Sequence, residues 1–157
     1  MTLEEVLQSF SAGPHTGVFT DGGCQPNPGP GGWGFVYVIE GEIISQDHGY
    51  DPDTTNNRME LTALIKAFSH LPDNAEIEVH SDSQLCVKTV NEWAAQWERR
   101  GWKRSTGPIA NLDLVKELYA LHKAKPGVRL QWIKAHNGWL WNEYADSLST
   151  AWTRSKV

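Results

Sequence analysis

At 157 residues the chain fits one domain, and a chain of about 150 residues buries roughly 70% of its unfolded surface, enough for a core that needs no staple. A formal net charge of −5 argues against a protein that holds nucleic acid by bulk charge, and two cysteines, Cys24 and Cys86, without metal-type spacing argue against a disulfide scaffold. No stretch approaches the ~20 apolar residues of a membrane span, and residues 1–15 carry Glu4 and Glu5 in place of a long apolar run, so a reduced, cytoplasmic, monomeric protein is expected.

In chain order, residues 1–14 hold a short apolar period (Leu3, Val6, Leu7, Phe10) that stops at Ser11-Ala12-Gly13-Pro14, an amino-terminal extension of one or two helical turns or of irregular chain. Residues 15–157 read as a single domain. Strands are predicted over 16–21, over 33–40 and, after the turn Glu40-Gly41-Glu42, up to Tyr50; the glycine- and proline-rich stretch 22–34 reads as a tight turn. Polar residues 51–55 precede a predicted helix over 57–70, whose Leu61, Leu64, Ile65 and Phe68 make one apolar stripe, with Glu60 in its first turn. A strand over 77–81, a helix over 83–91, a tryptophan-rich segment, a helix over 111–122, a strand over 128–133 and a helix over 142–153 complete the chain. Trp33 and Trp132, both on strands, are expected in the core, and Trp139, Leu140 and Trp141 in a loop before the last helix. Three strands in a meander followed by alternating helices and strands give an α/β domain with a mixed sheet.

Four carboxylates, Asp21, Glu60, Asp82 and Asp146, each fall where one element hands over to the next, beside glycine or small polar residues. A single aspartate there is ordinarily a turn former. The sequences around these four occur in one order: TDGGCQPNPGPGGWG (20–34), TTNNRMEL (54–61), SDSQ (81–84), WERRGWK (97–103) with Trp93 before it, and AHNGWLWNEYAD (135–146). Together they resemble type 1 ribonuclease H, over roughly residues 16–153.

The resemblance implies a ribonuclease H-like fold, a five-stranded mixed sheet in the order 3-2-1-4-5 flanked by helices. It implies an endonuclease that hydrolyses the RNA strand of RNA/DNA hybrids by a two-metal-ion mechanism and leaves 3′-hydroxyl and 5′-phosphate ends. Carboxylates gathered by a fold repel unless a cation neutralises them, and oxygen donors suit Mg²⁺, with Mn²⁺ as substitute, better than zinc. By resemblance Asp21 touches both ions, Asp146 completes the nucleophile-side site, and Glu60 and Asp82 hold the other ion. His136, in the loop before Asp146, is implied as a proton shuttle or an aid to product release.

The substrate contacts implied are Asn27, Asn57 and Gln84 on the RNA strand, and Thr55 and Asn56 at a DNA phosphate; capping and turn bonding are the ordinary roles of such side chains. The segment 88–104 carries five basic residues (Lys88, Arg99, Arg100, Lys103, Arg104) against Glu92 and Glu98, a local balance of 5 − 2 = +3. Trp93, Trp97, Trp102, Arg99, Arg100 and Lys103 in it match the family's basic protrusion, which meets the DNA strand, and Glu98 departs from that pattern. Two other classes compete: a hybrid-binding module without catalysis, which an intact carboxylate set disfavours, and another nuclease on the same sheet, which TTNNRMEL and the basic tryptophan-rich segment disfavour.

Overall fold

The computed structural model describes all of residues 1–157. Its sheet has five strands, β1 (Gly17–Cys24), β2 (Gly29–Ile39), β3 (Glu42–Thr54), β4 (Ile77–Ser81) and β5 (Val128–Trp132), in the order β3-β2-β1-β4-β5. The first three pair antiparallel, while β4 joins β1 and β5 joins β4 in parallel. This is the expected fold.

Period-2 alternation along the central strands sends side chains to two cores. Val18 and Phe35 face a cluster with Leu64, Phe68 and Leu118, beneath α2 (Asn56–Ser69) and α5 (Leu112–Ala124). Phe19, Val36 and Val38 face a second cluster with Tyr144 and Leu148 of α6 (Leu140–Ser149) and with Val6 of α1 (Leu3–Ser9). The expected stripe on α2 is buried throughout: Leu61, Leu64, Ile65 and Phe68. Thr55 caps that helix by accepting a hydrogen bond from the Arg58 amide at 3.2 Å, and a two-pronged Arg58–Asp113 pair ties it to α5 at 3.0 and 3.1 Å.

Several boundaries differ from the sequence expectation. The stretch 22–34 is strand for most of its length, with Cys24 facing Gly31 and Asp21 facing Gly34. Its glycines serve close approach more than turning: a Cβ on Gly22 would run into the Met59 carbonyl and lie 2.7 Å from the Glu60 amide nitrogen, and one on Gly34 would lie 2.5 Å from Leu148 Cβ. Helices on both faces press on β1 and β2 where no side chain intervenes. β3 continues to Thr54 because residues 51–54 pair with Gly31 and Gly29. Glu60, the fifth residue of α2, opens its second turn, not its first.

The helix placed at 83–91 runs on as α3 (Gln84–Lys88), a π-helical turn (Thr89–Trp93) and α4 (Ala94–Arg99), with Val90 and Ala94 both buried. Leu140 and Trp141 are not loop fillers but the first residues of α6, buried against α1 and the sheet. Trp132 is no core residue: it is 47% exposed on the edge strand β5, and its indole Nε1 donates to the Asp82 carbonyl at 3.2 Å. Residues 1–14 are ordered, with α1 started by a Thr2/Glu5 capping box. Both cysteines are free, Cys86 buried and Cys24 partly so. No helix is long and apolar enough to cross a membrane.

Candidate active site

Four elements deliver the four carboxylates to one cleft of about 470 Å³. Asp21 comes from the middle of β1, Glu60 from α2, Asp82 from the residue after β4, and Asp146 from α6. The approach of α2 at Gly22 sets Glu60 beside Asp21, and the approach of α6 at Gly34 does the same for Asp146. Asp21, Glu60 and Asp82 place one oxygen each within 4.8 Å of the others; Asp146 lies in a second such group with His136 and Glu143, and its carboxyl also meets that of Asp21.

This crowding has an electrostatic signature. Burial pushes the Asp21 carboxyl well above its ordinary range, and the charge of Asp82 and contact with Asp146 push it further. Glu60 is likewise raised, first by burial, then by the charge of Asp21 and by Asp82. The Oε1 of Glu60 is buried with no hydrogen-bond partner. An orphaned acceptor among mutually repelling carboxylates, all of them oxygen donors, fits a hard divalent cation.

The rim of the cleft is amide-rich. Asn56 Oδ1 accepts from the Cys24 amide at 2.8 Å and ties β1 to α2, and Asn27 Oδ1 accepts from the Asn56 amide at 3.2 Å. Thr55, Asn56 and Asn27 therefore do perform the ordinary capping and bracing work, while the NH₂ groups of both asparagines have no partner within the protein. Asn57 lines the cleft and Gln84, exposed, begins α3 next to Ser83 of its wall. His136 stands in the β5–α6 loop at φ +50°, three-quarters exposed, with its Nδ1 3.8 Å from Glu143 Oε2.

A second cleft, of about 390 Å³, adjoins the first, since Asn57 lines both. Trp93, Trp97, Arg100 and Arg104 line it. Arg104 is committed to the protein, donating to the carbonyls of Gly107 and Pro108 at 3.1 and 2.7 Å. Of the other expected contacts in this segment, Trp102 packs edge-on against Tyr119 under Lys116, and Arg99 and Lys103 are exposed outside either lining. Glu98 is paired with Lys123 at 2.6 Å, so its charge is partly offset.

The sequence reading missed Glu143. Its position three residues before Asp146, on one helix face, was the available signal. It also missed Ser149, Thr150 and Trp152, which line the acidic cleft beyond the expected ligands. One prediction follows from the glycine packing: Gly22→Ala must move α2, and a shift of about 1 Å at Glu60 is expected to lower activity on the order of 10²-fold, with overpacking costing ~1–3 kcal/mol of stability. Wild-type-like rates and melting in that variant would show that α2 is not seated by Gly22.

Comparison with known proteins agrees with this geometry. The chain matches the RNase H family over residues 14–153. It is 49% identical over 140 residues to "Ribonuclease H" of Methylorubrum extorquens (strain PA1), covering 89% of this chain and 60% of that protein. It is 44% identical over 133 residues to "Ribonuclease H" of Herminiimonas arsenicoxydans, covering 84% and 90% respectively. Among solved structures, LC9-RNase H1, described as a type 1 RNase H, superposes with a TM-score of 0.67 at 31% identity, over 90% of this chain and 74% of that one. With its sheet order and its gathered carboxylates, the chain belongs to the ribonuclease H family, among its type 1 members, and is an enzyme of that family.

Proposed function

We infer that this enzyme is a magnesium-dependent endonuclease that hydrolyses the RNA strand of RNA/DNA hybrids and leaves 3′-hydroxyl and 5′-phosphate ends. The observation that carries the reading is the convergence of Asp21, Glu60, Asp82 and Asp146 on one cleft whose buried Glu60 Oε1 has no protein partner. Two divalent ions held there, Mg²⁺ or Mn²⁺, would supply an activated water and a stabilised leaving oxygen. By the resemblance to type 1 enzymes, Asp21 would serve both ions, Asp146 the nucleophile side, and Glu60 and Asp82 the other.

The remaining residues position and discriminate. Asn27, Asn57 and Gln84 offer amides to the 2′-hydroxyls of the RNA strand, which both donate and accept. Thr55 and Asn56 seat a DNA phosphate. The second cleft, with Trp93, Trp97 and Arg100, together with Arg99, Trp102 and Lys103 on the same protrusion, receives the DNA strand through sugars and phosphates. His136, exposed at the mouth, moves a proton or helps product leave. A monomer in the cytoplasm completes the reading, supported by the free thiols Cys24 and Cys86, which suit a reducing compartment.

Labelled hybrid, duplex RNA and duplex DNA offered side by side in Mg²⁺ test this. Cleavage confined to the hybrid is expected. Cutting of duplex DNA would point to another nuclease on the same sheet, and tight hybrid binding without cleavage to a binding module.

The basic protrusion makes a separate prediction. Arg99 and Arg100 together replaced by Glu are expected to weaken hybrid binding and flatten its salt dependence by about 0.7 to 0.9 in log–log slope per lost phosphate contact. The rate at saturating hybrid should change little. Equal slopes in mutant and parent would remove the protrusion from the substrate interface.

A further inference from the structure

The loop that carries His136 is pinned by the chain's own amino-terminal segment. α6 begins at Leu140 without a side-chain cap from Trp139. The Leu140 amide, one of the N–H groups that a helix leaves without an internal partner, instead donates to the Ala12 carbonyl at 2.9 Å. Ala12 and Trp139 form a parallel β-bridge there. Gly13, at φ +91°, lies flat against the Trp139 side chain: a Cβ on it would stand 2.5 Å from Trp139 Cγ and 2.8 Å from its Cβ, atoms too near the backbone to swing aside.

Next along the segment, His15 Nδ1 accepts from the Trp141 indole N–H at 3.1 Å, so the imidazole carries its proton on Nε2, which donates to the Ser11 carbonyl at 3.1 Å. The far end is anchored as well. Val6 is buried in the core beside α6, the Leu3 amide donates to the Val157 carbonyl at 2.8 Å, and Ser147 Oγ donates to the Met1 carbonyl at 2.7 Å. The segment thus holds α6 at both its first turn and its last.

Between β5 and this anchor point stand only residues 133–138, with His136 and Gly138 both at positive φ. Asn137 Oδ1 folds the loop back by accepting from the Trp139 amide at 3.0 Å. Where the imidazole of His136 stands is therefore set by where Trp139 is clamped, three residues on.

We propose that residues 1–15 act as an intramolecular strap that, through Trp139, positions the His136 loop for turnover. Trp139 and the strap are positioning elements that act through His136, and the proposal rests on the role given to His136 under Proposed function. Loosening the strap at Trp139 keeps its far anchors at Val157 and at Ser147, the neighbour of Asp146, and so spares the four carboxylates and the substrate cleft, but lets the imidazole spread over many positions. The effect falls on kcat and spares KM.

The test compares Trp139→Ala, Trp139→Phe, Gly13→Ala and His136→Ala, singly and with Trp139→Ala joined to His136→Ala. The readouts are kcat and KM on RNA/DNA hybrid, and amide exchange at Leu140. Trp139→Ala and Gly13→Ala are expected to speed Leu140 exchange and lower kcat about 10-fold, short of the ~10²-fold that proton-transfer help can contribute. Trp139→Phe, which keeps an aromatic face over Gly13, should recover most of the rate. In the double variant, Trp139→Ala should add nothing to the loss from His136→Ala, a non-additivity that a general loss of stability does not produce.

If His136→Ala slows turnover and the strap variants do not, the strap is structural only and the proposal is overturned while the histidine's role stands. Additive losses would show the strap acting through other residues and would also overturn it. If His136→Ala itself is neutral, the histidine's role fails and the proposal with it.

Discussion

Asp21→Asn is expected to abolish cleavage in Mg²⁺, by more than the ~10³-fold that losing one electrostatic stabiliser costs, while raising the thermal midpoint of the metal-free protein at pH 8. Both effects come from the same feature. The Asp21 and Glu60 carboxyls sit well above their ordinary range, chiefly because they are buried; Asp82 and Asp146 raise Asp21 further, and Asp21 and Asp82 raise Glu60 further. An acid whose folded pKa is raised binds more protons folded than unfolded, so its contribution to stability is lost as pH rises from about 4 through the raised value. As pH rises the folded, metal-free protein takes on the repulsion among these groups, and replacing one carboxylate by an amide relieves part of it. Asn can still accept the Gly22 amide, now bound to Asp21 Oδ1 at 2.9 Å, so the fold loses little.

Two further results are expected. The stabilisation of Asp21→Asn should shrink as pH falls toward 4, where the parent carboxyls take up protons. Mg²⁺ should raise the melting midpoint of the parent and raise that of the variant less. Parent-like turnover in Asp21→Asn would sink the metal-site assignment, and a lower midpoint at every pH would mean that the carboxylates stabilise the fold without metal.

A DNA duplex with one embedded ribonucleotide should resist the enzyme, whereas a duplex with four or more in a row should be cut within the RNA. Asn27 lies in the turn between β1 and β2, Asn57 on α2 in the wall of the acidic cleft, and Gln84 at the start of α3 next to the cleft's Ser83, three separate segments. Donors so spread suit several successive 2′-hydroxyls, and the resemblance to type 1 enzymes implies a run of about four. Losing any one hydroxyl leaves a polar group unmatched at the cleft rim, and losing several removes the distinction between RNA and DNA. Efficient cutting at a single ribonucleotide would place recognition elsewhere than in this set. The test is cleavage mapping on duplexes that carry one, two, four and six ribonucleotides at a fixed position.

Much of the molecule was legible in the sequence because local patterns and tertiary demands agree there. The period of Leu61, Leu64, Ile65 and Phe68 specified α2 and its buried face, and three strands ahead of it specified the meander. The four carboxylates were legible through the strings around them, which no periodicity would have singled out. What was misread depends on contacts distant in sequence. Gly22 and Gly34 look like turn residues because a missing side chain carries no label for its purpose; here the purpose is room for α2 and α6. Leu140 and Trp141 next to a glycine-containing loop gave no sign that α1 would cover them. Trp132 has the composition of a core residue and the address of an edge strand, and the address won. The π turn at Thr89–Trp93 leaves no trace in a period read over so few residues. Glu143 joins His136 and Asp146 only through the fold of the β5–α6 loop, and in the sequence it reads as an ordinary charged residue of the helix's first turn.

The most direct measurement is single-turnover cleavage of a hybrid labelled on one strand at a time, in Mg²⁺ and in chelator, with the product ends identified. Scission of the RNA strand alone, only with the metal present, giving 3′-hydroxyl and 5′-phosphate ends, is the expected result. Cleavage that persists in chelator, or scission of the DNA strand, would contradict a metal-dependent, RNA-directed role for the Asp21, Glu60, Asp82 and Asp146 cleft.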